Sequence, residues 1–281
     1  MKIAITGATG FIGQHVRNVL AKTDNDVVLV VRYVERVGDK SAREEIVAAD
    51  LSQARTDWFE LFGRPDVVLH LAWGGLPNYM DCYHVDVELP TQLRFLTALI
   101  KSGLKKLVVT GTCYEYGLSS GALSEDQETN PNTPYGIAKD RLRKELFELR
   151  STQHFDLTWA RIFYPYGEGQ SEKSLYPQLM KAISNNEKKF TMGSGRQVLD
   201  FIPVEKVASA LLLFLTASNC RDVVNIGSGK PQSVADFVKD QILNFHSDIV
   251  LQPGSVSDRE YESVSFWSDN SRFNSISNFV N

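Results

Sequence analysis

The chain has 281 residues, of which 43% are hydrophobic, 10% aromatic and 23% charged, and its formal net charge is −4. Those values exclude a disordered or fibrous chain, and no basic block is present to bind nucleic acid or an anionic membrane surface. A chain of this length makes one large domain, or a large one with a smaller lobe, and buries roughly 75% of its unfolded surface without disulfide staples.

The N-terminal stretch MKIAITGATGFIG runs straight into glycines, without the apolar region and cleavage site of a signal peptide. No apolar run approaches ~20 residues, so no transmembrane helix is expected and the cytoplasm is the expected compartment. Short, near-continuously apolar runs follow at 2–6, 27–31, 45–49, 66–72, 106–110, 157–162 and 223–227. Strands covered on both faces of a parallel sheet read this way. Helical patterns intervene at 11–22, about 86–102, 134–150 and 204–217, with Pro90 predicting a kink or a first-turn boundary. The alternation predicts an α/β fold, a doubly wound parallel sheet of about seven strands. After Ile162 the chain becomes richer in Gly, Pro, Ser and aromatics, which predicts a small discontinuous lobe. The expected division is 1–163 and 196–230 for a dinucleotide-binding domain, and 164–195 and 231–281 for a substrate-binding lobe. Cys82, Cys113 and Cys220 are widely spaced and form no C-x-x-C pair, so free thiols are expected and no metal site.

Gly7, Gly10 and Gly13 fall between the first strand and the first helix. Glycines there allow a tight turn and let the main chain approach a pyrophosphate at a helix N-terminus. The spacing is G-x-x-G-x-x-G, not the commoner G-x-G-x-x-G. At the end of the second strand an acidic residue would accept from an adenosine 2′-OH, but this chain has Arg32, with Arg36 shortly after. A guanidinium suits a 2′-phosphate, so NADP(H) is the preferred cofactor and NAD(H) the alternative. Asp50, past the third strand, is a candidate for the adenine amino group or a cap.

Thr133 and Pro134 open the helix TPYGIAKDRLRKEL, which sets Tyr135 and Lys139 on one face, one turn apart. Such a pair is either surface decoration or a device for changing the tyrosine's acidity, and the stretch alone leaves both open.

The glycine loop, this Tyr-x-x-x-Lys pair and the hydroxyls of VVTGTCYEYG together resemble the extended short-chain dehydrogenase/reductases, the group of nucleotide-sugar epimerases, dehydratases and reductases. DVVLHLAW, ARIFYPYGEGQ, RQVLDFIPVEKVASAL and VVNIGSG resemble further segments of that family, so the likeness covers nearly the whole chain. The resemblance implies Tyr135 as acid/base, Lys139 as its partner and Thr112, five residues before Gly117, as the hydroxyl that orients a carbonyl. It implies cofactor contacts from Gly7, Thr9, Gly10, Phe11, Ile12, Gly13, Arg32, Asp50, Leu51, Leu71, Ala72, Trp73 and Thr110, joined by Tyr135 and Lys139. Tyr79, Tyr83, Tyr164, Arg196 and Arg259 are the implied substrate contacts, the arginines for a diphosphate. Lowering a tyrosine by ~3 pKa units requires about 4 kcal/mol of stabilisation for tyrosinate, much of which an ammonium in a dry cavity is expected to supply.

The family's sugar dehydratases carry Asp-Glu after the catalytic Thr, where this chain has Cys113 and Tyr114, with Glu115 one position later. Dehydration is therefore not expected. The expected activity is NADPH-dependent reduction of the 4-keto group of a nucleotide-activated deoxyhexulose, a step of deoxysugar and polysaccharide biosynthesis. An NAD-dependent epimerase is the alternative, and a cofactor-sensing regulator the third reading. The substrate partner would be a nucleotide-diphosphate sugar, and the resemblance leaves a homodimer open.

Overall fold

The computed structural model describes residues 1–217, 222–255, 261 and 263–280, with side chains described to 277. Cys220 and Arg259 lie outside the described residues.

All seven apolar runs are strands, and they form one parallel sheet: β1 (Lys2–Thr6), β2 (Asp26–Val31), β3 (Glu44–Ala48), β4 (Val67–His70), β5 (Lys106–Thr112), β7 (Asp156–Ile162) and β12 (Val223–Ile226). Their order is β12-β7-β5-β4-β1-β2-β3, that of a doubly wound Rossmann-type sheet. The order reverses between β1 and β4, which opens a crevice at the strands' C-terminal ends. Successive residues face opposite sides, and both sides are covered. Ile3, Ile5, Leu29 and Leu69 pack with one apolar cluster, and Ala4, Val28, Val30 and Val68 with the other. β5 runs two residues past its expected end, because Gly111 and Thr112 still pair with Arg161 and Ile162 of β7. A glycine in the run hides that last pair from an apolar pattern.

The helices are α1 (Phe11–Leu20), α2 (Trp58–Leu61), α3 (Leu89–Lys101), α4 (Pro134–Thr152), α5 (Leu175–Ser184), α6 (Val204–Thr216), α7 (Val234–Asn244) and α8 (Ser271–Val280). Pro90 sits in the first turn of α3, directly after a π-helical turn over His84–Glu88. α4 begins as expected: Thr133 Oγ1 accepts the Gly136 N–H at 3.0 Å and Pro134 follows the cap. Ala138, Leu142 and Leu146 are fully buried along its inner stripe, and Tyr135 and Lys139 belong to the same stripe. Burying each leucine contributes roughly 1.5–3 kcal/mol, so the apolar part of the helix offsets the cost of carrying an ammonium inward at its start.

The remaining strands are short and pair in twos. β8 (Tyr164–Tyr166) with β11 (Phe201–Pro203), β9 (Lys189–Thr191) with β14 (Val250–Gln252), and β6 (Gly121–Leu123) with β15 (Phe266–Ser268) are parallel. β10 (Val198–Leu199) and β13 (Gln232–Ser233) are antiparallel. A separate apolar cluster, centred on Leu179, Phe190, Phe237 and Val238, joins α5, α7, β9 and β14. Among the described residues, no helix is long and apolar enough to cross a membrane.

Candidate active site

The glycine loop turns tightly onto the end of β4. Gly7 has φ +74°, and a Cβ there would stand 2.7 Å from the main-chain N of Ala72 and 2.9 Å from C of Leu71. A Cβ at Gly13 would stand 2.2 Å from Gly7 O. The loop therefore lies against Leu71 and Ala72 at Gly7 and folds tightly on itself at Gly13, a cradle that side chains would fill. Gly10 caps α1 without a side-chain oxygen, leaving the first-turn N–H groups to a ligand. Residues Phe11 to Gly13 supply them, while the side chain of Ile12 packs into the core. Cradle and uncapped helix fit the pyrophosphate of a dinucleotide.

At the other end of this crevice, Arg32 closes β2 and Asp50 follows β3. Arg32 Nε lies 3.9 Å from Asp50 Oδ1, with 58% of the arginine side chain exposed. Asp50 also accepts the Ser52 N–H at 3.0 Å. That bond, then Arg32, holds its carboxyl below the usual range against a small desolvation cost. Leu51 packs against the sheet's second apolar cluster. Tyr83, an implied substrate contact, donates its hydroxyl to Glu88 Oε1 at 3.2 Å. Burial, then Glu88, push its phenol up.

The reactive groups meet where β5 ends and α4 begins. Thr112 caps the short 310 turn Cys113–Tyr116: its Oγ1 accepts the Tyr114 N–H at 3.3 Å and its own N–H donates to Glu115 Oε1 at 2.9 Å. The Thr112 side chain lies near enough to the Tyr135 phenol to favour its ionised form. Lys139 Nζ donates to Thr110 O at 2.9 Å and lies 4.0 Å from the centre of the Trp73 ring. Thr112, Tyr135 and Lys139 are all buried. Around the phenol stand Tyr79, stacked on Tyr114 at 4.9 Å between centroids, then Trp73 and His84, with Tyr164 and Tyr261 beyond Tyr114. The Tyr135 N–H donates to Tyr79 O at 3.1 Å, tying the 75–81 loop to the start of α4. Arg196 stands exposed in the turn before β10. Among the described residues, no hydrogen bond or ion pair joins it to this cluster.

The protein surroundings push both groups of the pair away from their charged forms. Burial, then Tyr79, Glu115 and Cys113, push the Tyr135 phenol up, and the Thr112 side chain opposes them. Burial pushes Lys139 down to about 8, against the attraction of Glu115 and Glu88. Excluding water penalises both charges first, before either can help the other.

Sequence reasoning underrated Glu115. It is fully buried and accepts from Thr112 N, Trp159 Nε1 at 2.9 Å and Arg161 Nε at 2.7 Å. Arg161 also donates to Tyr116 Oη at 2.9 Å. The signal was Arg161 itself, a charge inside an apolar strand that needs a buried partner. Cys113 is a buried wall residue, packed with Tyr116, Phe163 and Phe266.

Residues 3–227 match the NAD dependent epimerase/dehydratase family. The chain is similar to dTDP-6-deoxy-L-talose 4-dehydrogenase (NAD(+)) of Aggregatibacter actinomycetemcomitans, with 28% identity over 95% of this chain and 99% of that protein. It is also similar to a putative UDP-glucose 4-epimerase of Methanocaldococcus jannaschii, with 26% identity over 85% and 82% of the two chains. The solved structure of MoeE5 in complex with UDP-glucose and NAD superposes with a TM-score of 0.83, at 26% identity over 98% of this chain and 91% of that one. The chain belongs to the NAD dependent epimerase/dehydratase family, among the extended short-chain dehydrogenase/reductases.

Proposed function

We propose, taking membership of that family as the premise, that this protein reduces the 4-keto group of a nucleotide-activated 6-deoxyhexulose. The observation that carries the choice is Glu115. The carboxylate nearest Thr112 in sequence is held by Arg161, Trp159 and the Thr112 main chain, and is not available to remove water from a sugar. What gathers beside it is one phenol, one hydroxyl and an aromatic wall, a set suited to moving one proton at one carbinol oxygen.

Bound nicotinamide would supply the hydride. The main chain from Gly7 to Gly13, with Leu71 and Ala72, would hold the pyrophosphate side, and Lys139 the ribose next to the reacting ring. Tyr135 gives its phenolic proton to the C4 oxygen as the alcohol forms, and Thr112 holds that oxygen by a hydrogen bond. Tyr79, Tyr114 and Tyr164 bound the sugar, and Arg196 and Arg259 are assigned to the diphosphate. The neutral phenol favoured by burial is the state that reduction needs at the outset. In this reading 1–163 and 196–230 hold the dinucleotide, and 164–195 and 231–281 the sugar nucleotide.

Arg32 offers no acceptor to a 2′-OH and supports NADP(H). A second reading, NAD(H), is favoured by the Arg32–Asp50 pairing, which places a carboxylate beside the guanidinium. The test is a panel of dTDP-, CDP- and UDP-4-keto-6-deoxy sugars offered with NADPH or NADH, following nicotinamide absorbance and product configuration. Consumption of one reduced cofactor per alcohol formed is expected. Interconversion of C4 epimers without net cofactor consumption would replace the reductase with an epimerase.

A further inference from the structure

Trp73 does more than line the crevice. Its ring face lies 4.0 Å from Lys139 Nζ and its edge meets the Tyr135 ring at 6.0 Å. The indole is itself fixed: its N–H donates to His84 Nδ1 at 3.1 Å, and His84 Nε2 lies 3.0 Å from Asn78 O. An indole N–H can only donate, so His84 Nδ1 is the acceptor and its Nε2–H is given to Asn78 O. His84 is fully buried, and this tautomer is the neutral ring. Lys139 thus has two protein partners, the Thr110 carbonyl at 2.9 Å and the indole face.

We propose that Trp73 is a positioning residue for Lys139: its ring holds the buried ammonium against Thr110 O and leaves the remaining N–H groups for a ribose hydroxyl. The inference rests on the assignment of Lys139 to the cofactor ribose made above. An aliphatic side chain would exclude water equally well but would leave a desolvated cation with one partner. A ring face supplies attraction in the direction where no oxygen can be placed without competing with the ligand. The charged and titratable groups that face Lys139 are Glu115 from the 310 turn, Glu88 and His84 from the π-helical turn, His70 from β4 and Tyr135 from its own helix. The two carboxylates favour the ammonium and burial opposes it, so the indole works on the side of the carboxylates.

Two measurements test this. In the first, Trp73→Leu and Trp73→Phe are compared with the wild type by the pH profile of kcat and by dinucleotide affinity. Trp73→Leu should lower kcat about tenfold and move its alkaline limb down by about one pH unit. Trp73→Phe, which keeps a ring face, should hold the wild-type limb and stay within about threefold in kcat. If the two variants fall equally, or if neither limb moves, Trp73 is only a wall and the proposal is overturned. The second needs no substrate. The emission difference between wild type and Trp73→Phe should titrate in one mildly alkaline step and be flat in a Lys139→Met background; a step that persists there also overturns it. A wild type inactive on every 4-ketosugar would defeat the reductase reading, and this emission test would still decide the contact.

Discussion

In the seven-stranded sheet, Ile3, Ile5, Leu29, Leu69 and Val108 are buried between helices on both sides, and apolar contact alone fixes which residue faces which way. The short strand pairs beyond it have two or three residues each, too few for an apolar period to set their register. Polar ties do that work. Asp200, fully buried, accepts from Ser228 N at 2.6 Å, Ser228 Oγ at 2.5 Å, Gly229 N at 3.1 Å and Ser268 N at 2.9 Å. One carboxylate thus joins the end of β10, the turn after β12 and β15. The contrast teaches that this chain stores its large sheet in repetition and its region of short strand pairs in single side chains. The reactive groups lie on the seam between the two.

The sharpest way to separate seam from scaffold is Tyr135→Phe. Turnover should fall at least a thousandfold, or more than about 4 kcal/mol of transition-state stabilisation, while thermal stability and dinucleotide affinity stay near the wild type; substantial turnover would defeat the assignment. Asp200→Ala should cut the other way. It strands several buried donors, at about 1–3 kcal/mol each. Hydrogen exchange should accelerate around 228–233 and 266–268, with dinucleotide binding nearly unchanged. Uniform acceleration across the sheet would show that the two regions are not held by separate means.

Lys139→Met should remove activity yet stabilise the cofactor-free protein. Burial brings Lys139 down to about 8 in the folded protein, from an ordinary value of 10.5. Between those values the unfolded chain binds more protons, so this group's contribution to stability rises with pH across the window. Below it the cost of the buried ammonium is fully present. The variant should gain roughly 1–3 kcal/mol at neutral pH and lose that alkaline rise, as thermal melts across pH would report. The smallest effect belongs to Arg32→Asp, a shift of the NADPH/NADH ratio of kcat/KM of about tenfold, or 1.4 kcal/mol. An unchanged ratio would remove Arg32 from cofactor choice.

Much of this was legible in the residues. Period and apolarity gave all seven strands, and the cap at Thr133 placed Tyr135 and Lys139 on one stripe. What stayed hidden depends on contacts between distant segments. Nothing local in YHVDVE announces a π-helical turn, and nothing near Trp73 marks it as the partner of a lysine 66 positions later. The tie from the Tyr83 hydroxyl to the buried Glu88 was equally hidden, because nothing in the sequence pairs those two side chains. The desolvation that opposes charge on Tyr135 and Lys139 was hidden because a sequence shows charges but not how little water reaches them.

The bond from the Tyr135 N–H to Tyr79 O has an evolutionary consequence. The 75–81 loop is fastened to Tyr135, so lengthening or shortening it displaces the phenol as well. Changes that widen substrate range are therefore expected to carry a rate penalty when they alter the loop's length, and little when they exchange side chains at fixed length. Divergence among close relatives should accordingly appear here as substitutions, with insertions confined to loops that do not touch α4.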